Sequence, residues 1–353
     1  MRDRRYRLIS LDTVFGNQMT GALFYSRFHE LFFGAMLPVR HQNRFRKLAH
    51  DYLDRSLIAA RQADVMPIIS AEIAWYLEEA DFDRLRRFVA DRGFEARVVC
   101  YLRAPLDHLE STFQQKVKIG RPFSLDFRSQ TRDLREIITG ICRVFGEGNA
   151  SLYFFQPAAF PGGCVVQHFC QVTGIDFSPG DIRHENESLN LNAVKFLHAV
   201  NRADNFDGKS SVARVQRQVL IERLKSLPGP PLRFHPALTA TFAEYVKPQL
   251  AWLEQRLGWQ MPLTLVHRDP DAGIRSETDL QDFTPQALEW LAKQTGNPPI
   301  RCGNREETVE QVVRQLSQIT LIRSPLVTAS VITDTLRERW RRNRIIARTT
   351  GRL

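Results

Sequence analysis

The stretch Arg97 to Gly120, RVVCYLRAPLDHLESTFQQKVKIG, constrains the fold of this chain more than any other. Val98 to Leu102 is a short, uninterrupted apolar run of the kind that forms a strand buried in a parallel sheet. Arg103 marks the exit from that sheet. Ala104-Pro105 then suits a loop entering a first helical turn, because proline is tolerated at the first helical position. From Leu106 the apolar residues Leu106, Leu109, Phe113 and Val117 recur at three- and four-residue spacing, which predicts a helix. Asp107 and Glu110 lie early in it and Lys116 and Lys118 late, as the helix dipole favours, and Gly120 suits its stop.

A strand ending in arginine, followed by a helix with a serine one to two turns in, puts Arg103 and Ser111 on one rim of an open α/β sheet. Such rims bind ligands. A guanidinium fork and a hydroxyl near a helix N-terminus suit a phosphate group. The plainer alternative is an arginine paired with an acidic neighbour and a serine that is merely exposed, and spacing alone leaves both open.

The rest of the chain alternates in the same way. Tyr6 to Phe15 and Val65 to Ser70 read as strands, and residues 24–62 as helix-rich and basic. Phe82 to Phe94 is amphipathic, Arg132 to Phe145 is a helix with a stop at Gly146, and Ser151 to Phe155 is a further buried strand. Gly163 to Val172 is helical and ends at Gly174. Strand–helix alternation predicts an α/β fold with a mainly parallel sheet of about four strands and helices on both faces. Beyond residue 203 the pattern is helical, at 213–226 and 235–258 and again near 285–294 and 306–319, with LPGPP breaking it at 227–231. The domains expected are 1–258, an α/β body, and 259–353, a helical and loop-rich extension with a basic tail.

At 353 residues the chain can bury a substantial core. No apolar run approaches the ~20 residues of a membrane-spanning helix, and the N-terminus lacks the apolar centre of a signal peptide. The five cysteines, Cys100, Cys142, Cys164, Cys170 and Cys302, form no CxxC pair. That spacing argues against a disulfide scaffold and a zinc site and predicts reduced thiols in a cytoplasmic protein without bound metal. A net charge of +10 favours anionic partners, with seven arginines between Arg337 and Arg352 against one acid, Glu338. Nucleic acid, an anionic membrane surface, a polyanionic glycan and a nucleotide all fit that charge.

YLRAPLDHLESTFQQKVKIG resembles the 3′-phosphate-binding segment of the sulfotransferase family, in which a strand ending in Arg is followed eight residues later by a helical Ser; Arg103 and Ser111 have that spacing. The QQxVKxG ending is similar to bacterial sulfotransferase-like proteins associated with surface polysaccharides. The resemblance spans about residues 1–258. It implies a P-loop-NTPase-like parallel sheet and sulfuryl transfer from 3′-phosphoadenosine 5′-phosphosulfate (PAPS) to a hydroxyl or amine of a carbohydrate-type acceptor, with Arg103 and Ser111 on the 3′-phosphate.

The same resemblance makes GNQMTGA, residues 16–22, the counterpart of the phosphosulfate loop Gly-x-x-Lys-[Ser/Thr]-Gly-[Ser/Thr], with Gly16, Thr20 and Gly21 cradling the 5′-phosphosulfate. Met19 stands where the family has lysine and Ala22 where it has a hydroxyl, so the charge that would steady the leaving oxygen is missing. Three readings stay open: a degenerate loop, a later helix with the loop upstream of Met1, or an accidental match. Glu72, after the Val65–Ser70 strand, is the candidate base that deprotonates the acceptor, or else an ordinary acid at a helix start. His41 is a weaker base or acceptor contact, or a solvated residue. In HENESLNLN, Asn186 and Ser188 either cap the next helix or approach the donor nucleotide. Two other classes of function compete: a non-catalytic protein that kept the fold, and a basic protein binding polyanions through its arginine tail.

Overall fold

In the computed structural model, described residues are 5–9, 15–30, 39–121, 123, 125–128, 131–176, 188–203, 211–258, 273–301 and 303–320. The arginine tail and Asn186 lie outside them. The chain divides into two compact units, one built from Met1–Arg103 and Arg132–Arg183, the other from Ala104–Thr131 and His184–Trp340. This division runs through the expected 1–258 body, between Arg103 and Ala104.

The first unit contains β1 (Tyr6–Leu8), α1 (Phe15–Phe24), α2 (Val39–Gln62), β2 (Met66–Ile68), α3 (Glu79–Ala90), β3 (Val98–Leu102), α5 (Leu134–Phe145), β4 (Ala150–Phe154) and α6 (Val165–Thr173). Both strand pairings are parallel, β1 with β2 and β3 with β4. The α/β character expected from alternation is therefore present. The single sheet of about four strands is not: the described strands form two separate pairs. Pro67 gives a reason at β2. The Met66 amide and the Ile68 carbonyl bond to the β1 strand, which turns Pro67 outward, and proline offers no N–H to a further strand. The outer face is also uncovered, with Leu8 54% and Met66 52% exposed.

The core of this unit shows why its helices form where they do. Ala49, Leu53, Leu57 and Ala60 make one buried stripe along α2. Leu53 and Leu57 belong to one buried cluster with Phe24 of α1, Phe82 and Val89 of α3, and Ile137, Ile141 and Phe145 of α5. Met19 sits among them, fully buried, with Thr20 buried beside it. The segment expected to be a phosphate loop is thus the body of helix α1, and three of its residues, Gly16, Thr20 and Gly21, are helical. A loop whose amides face a ligand would have to expose them, whereas here the helix spends its backbone on itself and its side chains on the core.

The second unit is helical: α4 (Pro105–Lys118), α7 (Leu191–Ala203), α8 (Ser211–Leu224), α9 (Pro236–Leu257), α10 (Pro285–Thr295) and α11 (Arg305–Thr320). Helix α4 buries Phe113 against Phe234 and is tied down by polar groups on the same side. The Gln114 amide donates to the Leu189 carbonyl at 2.9 Å and accepts from the Leu189 N–H at 3.1 Å. At the helix end, Asn201 donates to the Val117 carbonyl, and Arg217 donates to the carbonyls of Val117 and Lys118.

The start of α7 corrects another expectation. Its cap is Asn190, whose Oδ1 accepts from the Ala193 N–H at 2.9 Å, and not Ser188, while Asn186 lies outside the described residues. Asn190 and Asn192 also donate to the carbonyls of Leu227 and Pro228, so these asparagines hold the LPGPP turn. Gly229 is required there: a Cβ would lie 2.8 Å from Asn192 Nδ2.

Burial of Met19 gives the first prediction. Met19→Lys would bury an ammonium in an apolar cluster and should cost ~3 kcal/mol or more, whereas Met19→Leu should cost less than about 1.5 kcal/mol. Urea unfolding of the two variants measures this; equal midpoints would contradict the buried assignment.

Candidate functional site

Parallel pairing of β3 with β4 builds the most chemically equipped surface in the first unit. The register runs from Val98↔Ala150 to Leu102↔Phe154, and the Phe155 N–H extends it by donating to the Leu102 carbonyl at 2.7 Å. This last bond puts Phe155 beside Arg103 at the carboxyl end of the pair. The exposed Arg103 guanidinium lies over the Phe155 ring, 4.7 Å from its centroid. Among the described residues no carboxylate pairs with Arg103. The plainer reading of this residue, an ion pair with an acidic neighbour, is therefore not what is found.

Side chains alternate along a strand, so Tyr101 shares a face with Arg103. That face carries an aromatic group. Tyr101 stacks on Tyr153 at 5.5 Å between centroids, Phe160 lies edge-on to Tyr101 and to Phe155, and His168 of α6 packs on Tyr153 and Phe160, each at 4.8 Å. Tyr101 Oη and His168 Nδ1 are 2.8 Å apart. Burial, with smaller contributions from Tyr153 and Cys170, pushes the Tyr101 phenol up to about 12. The Cys100 thiol on the opposite face of β3 is pushed up to about 11 by burial, so it is not a reactive thiolate. Neither Tyr101 nor His168 stood out in the sequence: the tyrosine reads as strand filler, and the histidine is one polar residue in an amphipathic helix.

The other expected site residues are distributed as follows. Glu72 is exposed at the start of a short 3-10 turn, Glu72–Tyr76, that follows β2. Its charge adds to burial in raising the Tyr76 phenol above its ordinary value. His41 falls within α2. Thr20 and Gly21 are buried in α1 and Gly16 lies in its first turn. Ser111 is half-buried in α4 and Ser188 exposed ahead of α7, both in the second unit, whereas Arg103, Glu72 and His41 belong to the first. The expected constellation is thus divided over two units.

In the second unit the chemically unusual group is Glu110. It is 5% exposed, and its carboxylate accepts from the Phe234 N–H at 2.8 Å and from Arg233 Nη1 at 2.9 Å. Burial pushes its carboxyl up to about 7; the Phe234 amide and Arg233 oppose this, while Asp107 adds to it. The sequence offered Glu110 only as an early-helix acid. A cavity of about 30 Å³ lined by Arg223, Gln294, Thr295, Gln318 and Ile319 has room for one water. Among the described residues no three metal-binding side chains gather, and no helix is long and apolar enough to cross a membrane.

No protein-family model, curated protein or solved structure matches this chain.

Glu110 yields a pH prediction. The folded carboxyl keeps its proton up to about 7, and the unfolded one releases it near its ordinary value of 4.5. Between those values the folded state binds more protons, so this group's contribution makes stability fall as pH rises through that window. Glu110→Gln should flatten that slope. Urea midpoints at pH 5 and pH 7.5 for both proteins test it, and parallel slopes would contradict it.

Proposed function

We propose that this chain is a sulfotransferase-like protein that binds the 3′-phosphate of PAPS, or of its product 3′,5′-adenosine bisphosphate, through Arg103. One observation carries the reading. Arg103 is an exposed guanidinium at the carboxyl end of a parallel strand, steadied from below by Phe155 and free of any described carboxylate. Ligands of open α/β folds gather at that end of the strands, and a guanidinium fork matches two phosphate oxygens at once. The aromatic surface beside it would shield the ion pair from water. Ser111 keeps the support of the resemblance alone.

Binding without turnover is favoured over sulfuryl transfer. Transfer needs a cation at the oxygen that departs with its electrons, and the segment that the resemblance aligned with the phosphosulfate loop is helix α1, with Met19 in the core of the first unit. A second reading, transfer to a carbohydrate-type hydroxyl or amine, draws on Glu72, an exposed carboxylate beyond the end of a parallel strand that could take the acceptor's proton. The free thiols of Cys100, Cys164 and Cys170 fit a reducing, cytoplasmic setting for either reading.

Isothermal titration tests the proposal. Wild-type protein should bind 3′,5′-adenosine bisphosphate at least tenfold more tightly than adenosine 5′-monophosphate, which lacks the 3′-phosphate. Arg103→Ala should lose about a hundredfold, the ~3 kcal/mol of a charge-assisted pair. A folded wild-type protein that evolves no heat at high micromolar ligand would overturn it.

A further inference from the structure

We infer that His168, oriented by Tyr101, is a second phosphate-binding group, acting with Arg103 on one anionic ligand at the β3–β4 surface. The inference rests on the reading of Arg103 as a phosphate-binding residue and adds a residue to that site.

Geometry comes first. Tyr101 and Arg103 are two residues apart on one face of β3, a step of about 6.6 Å. His168 Nδ1 is 2.8 Å from Tyr101 Oη. The surface between them is continuous: the Arg103 guanidinium lies on Phe155, Phe155 meets Phe160, and Phe160 meets His168. A ligand with anionic oxygens laid along that surface would meet the guanidinium at one end and the imidazole at the other.

The hydrogen bond also decides what His168 can offer. A phenol held well above the titration range of histidine keeps its proton, so Tyr101 donates and Nδ1 accepts. The neutral ring must then carry its own proton on Nε2. That nitrogen has no hydrogen-bond partner among the described residues, and the ring is half-buried. If the ring becomes protonated, Nδ1–H turns to donate to Oη while Nε2–H remains a donor with added charge. His168 is therefore a donor in both charge states, the property that an anion site needs and a general base lacks. Buried Phe160 beside it lowers the local polarity and strengthens each such bond.

The competing role is structural: the Tyr101–His168 bond would simply fasten α6 to the strands. Titration of the full chain with 3′,5′-adenosine bisphosphate separates the two, with long-range 1H–15N spectra of the histidine rings as a second measurement. His168→Ala should weaken binding about tenfold, and His168→Gln, which keeps an N–H donor, by less than about threefold. Tyr101→Phe should leave His168 as a mixture of tautomers and fall between them. Ligand should shift the Nε2 resonance of His168 in wild-type protein, an outcome readable even where His168→Ala does not fold. If wild-type protein binds, Arg103→Ala loses binding and the His168 variants bind normally with an unmoved Nε2 resonance, His168 only fastens α6 and the inference falls alone. If wild-type protein does not bind, the reading of Arg103 falls and takes this one with it.

Discussion

The interaction on which the first unit's chemistry depends is the parallel ladder between Val98–Leu102 and Ala150–Phe154, extended by the bond from the Phe155 amide to the Leu102 carbonyl. Backbone hydrogen bonds set the register, and register sets which side chains stand together. With this pairing Arg103 falls over Phe155 and Tyr101 beside Tyr153. A slip of one residue would turn Tyr101 and its neighbours to the opposite face and separate Tyr101 from His168. The order of this surface therefore comes from main-chain bonding, with aromatic packing filling in around it.

The second unit is organised differently, around polar groups buried on one helix. Along α4, Glu110 and Gln114 are a turn apart and each binds main chain from another segment, Phe234 and Leu189 respectively. Such bonds are worth little net when made but cost a good deal when left unmade, so they specify one arrangement more than they stabilise it. At the helix end Asn201 and Arg217 likewise bring side-chain donors from α7 and α8 to the Val117 carbonyl. Glu110 is the extreme member, because burial works against its charge while Arg233 and Phe234 support it.

Much of the element order was legible in the sequence because it depends on local periodicity. Pro105–Lys118, Leu134–Phe145, Pro236–Leu257 and Pro285–Thr295 fall within a few residues of where apolar spacing, prolines and glycines put them. Segment 16–22 stood open in the sequence between a loop and a helix because its glycines and threonine are turn residues by composition, while its neighbours Phe15, Leu23 and Phe24 carry the helical signal. Burial of Met19 then outweighed the local preference. Asn186 and Ser188 were offered as caps because either type can cap, and only the path of the 227–231 turn across the helix start selects Asn190.

The sequence by itself determined that this is an α/β chain with parallel strands, a helical second half, and an arginine at the end of a buried strand. These follow from side-chain periodicity, which acts within a few residues. Only the tertiary structure decided that Met19 belongs to a core, that Arg103 rests on Phe155, that Tyr101 meets His168, and that Glu110 is buried against Arg233 and Phe234. Each of these joins residues tens of positions or more than a hundred apart, or depends on which way a helix turns its face. Strand register and long-range packing settle such pairings, and no local pattern encodes them.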